Sequence, residues 1–206
     1  MTLEFVVPEL EDILRGGDGV EESEYRGKRR SAANSLQGIA CTGTEESREA
    51  WNILEEAVTQ ADFRVSLQAS QALAYTAASN EEYWNRAVQV YREAVNSEER
   101  STRIAAVDGL RKALDVNTEV TVDCVELFGE AARTGLNSII EKHDALDSVE
   151  EVSADQARRE RSSWKALAGL SEAAAHDSEA VREVAGEETI HLFLDTVFSD
   201  GAERLF

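Results

Sequence analysis

The sequence predicts an all-α fold, an α-solenoid of about four stacked helical hairpins with one inserted helix. Three observations support this prediction. Small and apolar residues recur at a period of 37 residues, apolar residues within each copy are three or four positions apart, and no proline follows Pro8. A fixed period in this range is typical of stacked helical repeats, and spacing by three and four is typical of amphipathic helices.

The repeat is clearest between Asp62 and Gly135, where two copies agree at the same offset. The matching pairs are Ala69 and Ala106, Ala72 and Gly109, Leu73 and Leu110, Asn80 and Asn117, Ala87 and Cys124, Val88 and Val125, Tyr91 and Phe128, and Val95 and Ala132. An earlier copy contains Ala32, Ser35, Leu36, Gly43, Ala50, Trp51, Leu54 and Val58. Because size and apolarity are kept at each site, we expect each copy to form one hairpin.

Polar residues and glycines predict where the helices begin and end. Gly43 ends one helix and Thr44 caps the next, while Asp62 and Asn80 are expected to cap the two helices of the following copy. Residues 1–22 are expected to form an N-terminal capping segment. In that segment, Phe5–Val7 would be extended or irregular and Pro8 would lie in the first turn of a short helix.

The fourth copy is displaced along the chain. Ala166, Gly169 and Leu170 match the third copy at an offset of 60 in place of 37, which implies 23 inserted residues. We expect an extra helix near 136–149, after a helix end at Gly135. Ser153 and Gln156 form a capping-box pattern for a further helix that runs to about Ala175. The predicted domains are the capping segment, a repeat domain at 23–200 with an insertion at about 136–160, and a tail at 201–206.

Two stretches carry a family resemblance. The sequence Arg103-Ile104-Ala105-Ala106-Val107-Asp108-Gly109-Leu110 is similar to an R-x-x-A-x-x-x-L pattern, and Val181-Arg182-Glu183-Val184-Ala185 is similar to V-R-x-x-A. Both patterns resemble HEAT-type, armadillo-like helical repeats, and the resemblance covers most of residues 24–198. A tetratricopeptide repeat is the alternative, because Tyr91-Arg92-Glu93-Ala94 resembles that family. The period of 37 rather than 34 favours the HEAT-like interpretation.

The composition is strongly acidic. Asp and Glu number 41 against 21 Lys and Arg, the net charge is −20, and the basic set contains 17 Arg but only 4 Lys. This composition resembles that of proteins from salt-accumulating haloarchaea, in which a dense carboxylate surface stays hydrated in concentrated salt. The alternative is an acidic surface that binds cations or a basic partner. Cys41 and Cys124 are both expected to be small buried side chains rather than a disulfide or metal site.

The last helix, at about 178–198, is apolar around most of its circumference. A terminal repeat is normally polar on its outer side. We therefore expect part of this helix to contact a protein partner or a second copy of the chain, unless the inserted helix covers it. The residues of this predicted contact are Ile190, Phe193, Leu194, Val197 and Phe198.

Arginines cluster near the start of the first helix of each copy and predict a basic edge. Its members are Arg26, Arg29, Arg30, Arg64, Arg100 and Arg103, with Arg158, Arg159 and Arg161 at the displaced copy. One interpretation is a ladder of ion pairs between repeats, which HEAT-like stacks commonly use. The other is a surface that faces an anion, either nucleic acid or an acidic partner.

These observations favour a non-enzymatic scaffold or adaptor that binds another protein in a high-salt cytoplasm. The alternative is a nucleic-acid-associated regulatory protein that uses the arginine edge, but high salt weakens such contacts. No catalytic, cofactor or metal residue is predicted, because phosphate-loop, nucleophile-elbow and EF-hand patterns are missing. Glu188 and His191 form a single Glu-x-x-His step, whereas a di-iron bundle needs two such steps and two further glutamates. No signal peptide or membrane-spanning run is predicted, so we expect a cytoplasmic protein.

Overall fold

The computed structural model describes residues 3–16, 22–60, 62–78, 81–114, 118–144 and 161–198. These ranges contain nine α-helices and no β-strand, so the predicted all-α class is confirmed for them. The chain divides into two compact units, Met1–Ala113 and Leu114–Phe206. This boundary falls inside the predicted repeat domain. The partition into a capping segment, one repeat domain and a tail stays a prediction.

Six helices occur in the described ranges of the first unit, and their packing alternates along the chain. The helices are α1 (Leu3–Arg15), α2 (Glu22–Ala40), α3 (Glu45–Val58), α4 (Phe63–Ala78), α5 (Glu81–Val95) and α6 (Arg100–Ala113). Helix α4 packs against both α2 and α6, while α3 and α5 pack against each other. Each helix from α1 to α5 also packs against the helix that follows it. The odd and even helices therefore form two adjoining rows.

The core of this unit is built from the repeated Ala and Leu positions of the even helices. Each of these side chains is at most 2% exposed: Ala32, Leu36, Ala69, Leu73, Ala106 and Leu110. Small residues at one of the two positions let neighbouring helices approach closely, and leucine at the other fills the space between them. The spacing that predicted the helices therefore also identifies their buried faces.

An aromatic pair joins the odd helices α3 and α5. The rings of Trp51 and Tyr83 stack with centroids 4.6 Å apart and an interplanar angle of 16°. The guanidinium of Arg86 lies over the Trp51 ring at 5.7 Å and forms an ion pair with Glu55 at 2.6 Å. Trp51 is fully buried, so this stack belongs to the core rather than to a binding surface.

Helix α1 begins earlier than predicted. We expected an extended patch at Phe5–Val7 and a helix that starts at Pro8, but the helix starts at Leu3 and Pro8 is its sixth residue. Burial of Val7 and Leu14 against α2 and α3 explains the difference. These two side chains contribute roughly 3–6 kcal/mol, which offsets the approximately 3 kcal/mol that a proline costs inside a helix.

The turn between α2 and α3 contains the cap that was predicted at Thr44, and it also contains Cys41. Gly43 has a φ of +73°, and the Thr44 N–H donates to the Ser47 hydroxyl at 2.8 Å. The Ser47 hydroxyl in turn donates to the Ile39 carbonyl at 2.9 Å. The prediction of a buried Cys41 is wrong: the residue is exposed, because α2 ends at Ala40 and Cys41 already belongs to the turn.

The cap predicted at Asp62 is also confirmed, and others lie outside the described residues. The Asp62 carboxylate accepts a hydrogen bond from the Arg64 N–H at 2.8 Å at the start of α4. The predicted cap at Asn80 lies outside the described ranges, as does the capping box of Ser153 and Gln156.

The described residues of the second unit contain three helices that pack against one another. They are α7 (Thr118–Asp144), α8 (Arg161–Ala174) and α9 (Glu179–Phe198). The predicted helix end at Gly135 is wrong, because α7 continues through Gly135 to Asp144. Residues 136–144, which were predicted to belong to a separate helix near 136–149, are therefore part of α7. One glycine inside a helix costs only about 1 kcal/mol, and no proline follows it to break the hydrogen-bond pattern.

Close packing between α7 and α8 defines the core of the second unit. Phe128 is fully buried, and Gly169 lies against its ring, where a Cβ atom would come within 2.7 Å of a ring carbon. Cys124, one turn before Phe128, is also buried, as predicted. Burial, and secondarily the charge of Asp123, raises the pKa of the Cys124 thiol well above its ordinary value. The residue therefore acts as a small apolar side chain.

Among the helices of the described ranges, none combines the length and the apolar character needed to cross a bilayer.

Candidate functional site

The outer face of α9 carries the predicted partner-binding residues. Ile190, Phe193 and Leu194 are 59%, 64% and 42% exposed. They are three and four positions apart, so their side chains share one face of the helix. Val197 and Phe198 lie in the last turn of α9, but their side chains are outside the described part of the structure.

The opposite face of α9 packs against the other described helices of the second unit. Val181, Ala185 and Leu192 are buried on a helix that contacts both α7 and α8. Glu188 accepts a hydrogen bond from the Arg133 guanidinium at 2.5 Å. A Cβ atom at Gly129 would clash with the Glu188 carboxylate, so the glycine makes room for this ion pair. The exposed apolar residues therefore lie on a helix that is anchored along its inner side.

Arg103, a predicted member of the arginine edge, is a buried part of the turn between α5 and α6. It is 6% exposed, and its Nη1 donates to the carbonyls of Ser97 and Glu98 at 2.6 and 2.9 Å. Burial lowers the pKa of the Arg103 guanidinium, the charge of Arg100 lowers it further, and Glu99 opposes the change. The side chain satisfies backbone carbonyls that α5 and α6 leave without helical partners.

Arg182 repeats this arrangement in the second unit. Its Nη1 donates to the carbonyls of His176 and Asp177, both at 2.8 Å. Each arginine is the fourth residue of its helix and contacts the carbonyls six and five positions earlier. The two stretches with the family resemblance thus use arginine in the same structural way.

Arg29 is also used within the chain. Its Nη2 lies 3.6 Å from the Asp62 carboxylate, which precedes α4, and its side chain is 12% exposed. The same guanidinium packs against Gly16 at the end of α1. A cation is favourable next to the partial negative charge of a helix C-terminus. Arg29, in the middle of α2, therefore links the end of α1 to the start of α4.

The remaining predicted arginines have other environments. Arg30 and Arg64 are exposed, Arg100 is half-buried, and the side chain of Arg26 is outside the described residues. Arg158 and Arg159 lie in a range that is not described, and Arg161 begins α8 with its side chain outside the description. The members of the predicted edge thus differ in burial and in the groups they contact.

Arg30 faces a polar groove that crosses α2, α4 and α6, with a volume of about 330 Å³. We call it the Arg30–Lys112 groove. Its lining residues are Arg30, Asn34, Gln37, Leu67, Gln68, Gln71, Ala72, Tyr75 and Lys112. No sequence pattern described above predicted this groove. The available signal was the polar residues of α4, which recur at three- and four-residue intervals opposite its buried face.

The Glu-x-x-His step does not assemble a metal site. The Glu188 carboxylate pairs with Arg133, and His191 is exposed on α9. No group of three or more His, Cys, Asp or Glu side chains suited to a metal ion occurs in the described ranges.

Comparison with known proteins adds no assignment: no protein-family model matches the sequence, and no curated protein or solved structure matches significantly.

Proposed function

We propose that this chain is a HEAT-like helical-repeat scaffold that binds another protein through the outer face of α9. The observation that carries the proposal is the group of three large apolar side chains, Ile190, Phe193 and Leu194, exposed on one face. Clustered apolar exposure of this kind marks interaction sites on folded proteins.

The repeat part of the proposal is supported by the packing of the first unit. Even helices contact even helices, and α3 contacts α5, as stacked hairpins require. Arg103 and Arg182 bond to the preceding turn in the same way. Such stacks present long surfaces with few convergent polar groups, which suits recognition of a protein.

A partner that covers the exposed apolar area of α9 would gain free energy from the burial of this area. Complete coverage of the three side chains would contribute roughly 3–5 kcal/mol, before the cost of association is subtracted. This contribution does not weaken in concentrated salt, whereas ionic contacts do. An apolar contact would therefore suit the high-salt cytoplasm that the composition favours.

The test is affinity capture from a high-salt lysate of the native host with matched baits. The test variant is Ile190→Ser combined with Phe193→Ser. The control is Phe5→Ser, which removes an apolar side chain that is 70% exposed on α1. We expect one stoichiometric protein with the wild type and the control, and its loss with the double variant. The recovered protein is identified by mass spectrometry, and size-exclusion chromatography reports self-association.

Three results would contradict the proposal. Equal recovery with the double variant would show that α9 is not the contact surface. Loss of recovery after nuclease treatment would indicate a nucleic-acid-associated protein instead. A double variant that loses helicity by circular dichroism would show that these residues stabilise the unit rather than bind a partner.

A further inference from the structure

The second site is the Arg30–Lys112 groove, which lies on the first unit and shares no residue with the outer face of α9. Helix α4 forms its floor, and α2 and α6 pack on either side of that helix. Arg30 comes from α2 and Lys112 from α6, so the groove has one cation on each flanking helix. We infer that this groove binds a small organic anion with one or two negative charges and several polar neutral groups.

The two cations of the groove are not engaged by other groups of the protein. Among the Lys and Arg residues whose side chains the structure describes, Arg30, Arg48 and Lys112 are those with no ion pair or hydrogen bond to the protein. Two of these three line one groove. The third, Arg48, lies among Glu45, Glu46 and Glu49. The groove thus contains cations whose hydrogen-bonding capacity is available to a ligand.

The chemistry of the residues that line the groove also suits an anion. No Asp or Glu lines the groove, although acidic residues outnumber basic ones by 41 to 21 in the chain. The neutral polar groups are the carboxamides of Asn34, Gln37, Gln68 and Gln71. A carboxamide both donates and accepts hydrogen bonds, so it matches hydroxyl, carbonyl or amide groups of a ligand. The half-exposed ring of Tyr75 adds a flat surface.

Size and net charge define the ligand further. A volume of about 330 Å³ lies at the small end of the range for small-molecule sites, roughly 300–1,000 Å³. The chain has a net charge of −20, and its repulsion of a ligand grows with the ligand's negative charge. A small monoanion or dianion is therefore favoured over a polyanion such as nucleic acid. Its charged group is a carboxylate or a phosphate, because both fit an arginine fork and a lysine ammonium.

The test is isothermal titration calorimetry of the full chain at constant ionic strength with three matched probes. Gluconate supplies a carboxylate with hydroxyls, glucose 6-phosphate a phosphate with hydroxyls, and glucose the same hydroxyls without charge. We expect saturable binding of one or both anions and none of glucose. Saturation by gluconate alone assigns a carboxylate ligand, and saturation by glucose 6-phosphate alone assigns a phosphate.

Three single variants locate the bound anion. Arg30→Gln and Lys112→Gln are each expected to weaken binding by about tenfold or more, because each removes a charge-assisted contact. Arg48→Gln removes the same charge from an exposed position outside the groove, and we expect a change of less than about twofold. All three side chains are exposed, and urea midpoints confirm that the variants fold.

The proposal is overturned by any of three results. The first is that neither anion saturates the chain at concentrations below about 10 mM. This would mean that the free energy of binding is weaker than roughly 3 kcal/mol. The second is an equal loss of affinity in Arg48→Gln, which would show association with the surface as a whole. The third is equal binding of glucose, which would show that the cations take no part. The protein-binding proposal is unaffected by these outcomes, because it depends on α9 alone.

Discussion

Gly109 of α6 lies against the backbone of Ser70 in α4, so closely that a Cβ atom at position 109 would be 2.9 Å from the Ser70 carbonyl oxygen. The same oxygen accepts a hydrogen bond from the Tyr91 hydroxyl of α5 at 2.5 Å. Three helices therefore meet at one carbonyl group. Glycine is needed here for space and not for backbone conformation.

The first prediction concerns Gly109→Ala. A methyl group at this position meets backbone, which cannot move aside as the end of a side chain can. We expect the free energy of unfolding of the first unit to fall by about 1–3 kcal/mol, which is typical of overpacking. Urea unfolding followed by tryptophan fluorescence and circular dichroism measures the change.

The matched control for this variant is Gly27→Ala, in α2 of the same unit. No atom lies within 4 Å of a Cβ built at Gly27, so only helix propensity changes. We expect stabilisation of about 0.5–1 kcal/mol. Changes of the same sign in both variants would contradict the close approach at Ser70.

The second prediction concerns Arg103→Met, which keeps the length of the side chain and removes its donors. The carbonyls of Ser97 and Glu98 then lose their partner, and we expect a loss of about 1–3 kcal/mol in the free energy of unfolding. Arg48→Met serves as the control. Arg48 is exposed and lies in the same unit, so its change should stay within about 0.5 kcal/mol. Equal effects of the two substitutions would show that the turn does not depend on Arg103.

The repeat pattern predicts which positions are buried, but it does not predict which group each buried residue contacts. Gly109 and Gly169 occupy equivalent places in Ala-x-x-Gly-Leu stretches, and both lie at close approaches. Their partners differ, since Gly109 meets the backbone of Ser70 and Gly169 meets the ring of Phe128. Periodicity reports which face of a helix is inside, but the group on the facing helix depends on the helix-to-helix register, which the period does not define.

The arginines show a second limit of sequence analysis. Arg29 and Arg30 are neighbours in the chain, and both fit the predicted edge. Successive residues of an α-helix point about 100° apart, so Arg29 reaches Asp62 while Arg30 faces the groove. Lys112 lies in a later helix, so its position at the same groove depends on tertiary packing. The candidate anion site therefore required the structure, whereas the apolar face of α9 was visible in the sequence.

The third prediction distinguishes the two cysteines by reactivity. Cys41 is exposed, and Cys124 is buried with a raised thiol pKa. Because the thiolate is the reactive form, we expect an alkylating reagent to modify Cys41 rapidly at neutral pH and to leave Cys124 unmodified in the folded chain. Peptide mass spectrometry identifies the modified residue. In urea both should react, and comparable rates in the folded chain would contradict the burial of Cys124.

The fourth prediction follows from the raised pKa of the Cys124 thiol. Above the ordinary thiol pKa of 9.0, the unfolded chain loses this proton while the folded chain keeps it. The folded state then binds more protons, so its stability falls as pH rises. The contribution of this thiol is complete below pH 9.0 and decreases above it by about 1.4 kcal/mol per pH unit, until the folded pKa is reached.

The measurement compares the wild type with Cys124→Ala, which lacks the thiol. The two chains share every other ionisable group, so the difference between their free energies of unfolding isolates Cys124. We expect the deficit of Cys124→Ala relative to the wild type to shrink by about 1 kcal/mol between pH 8 and pH 10. Cys41→Ala, which removes an exposed thiol, is the control for the loss of a cysteine as such. A deficit of Cys124→Ala that does not change with pH would show that the thiol ionises equally in the folded and unfolded chains.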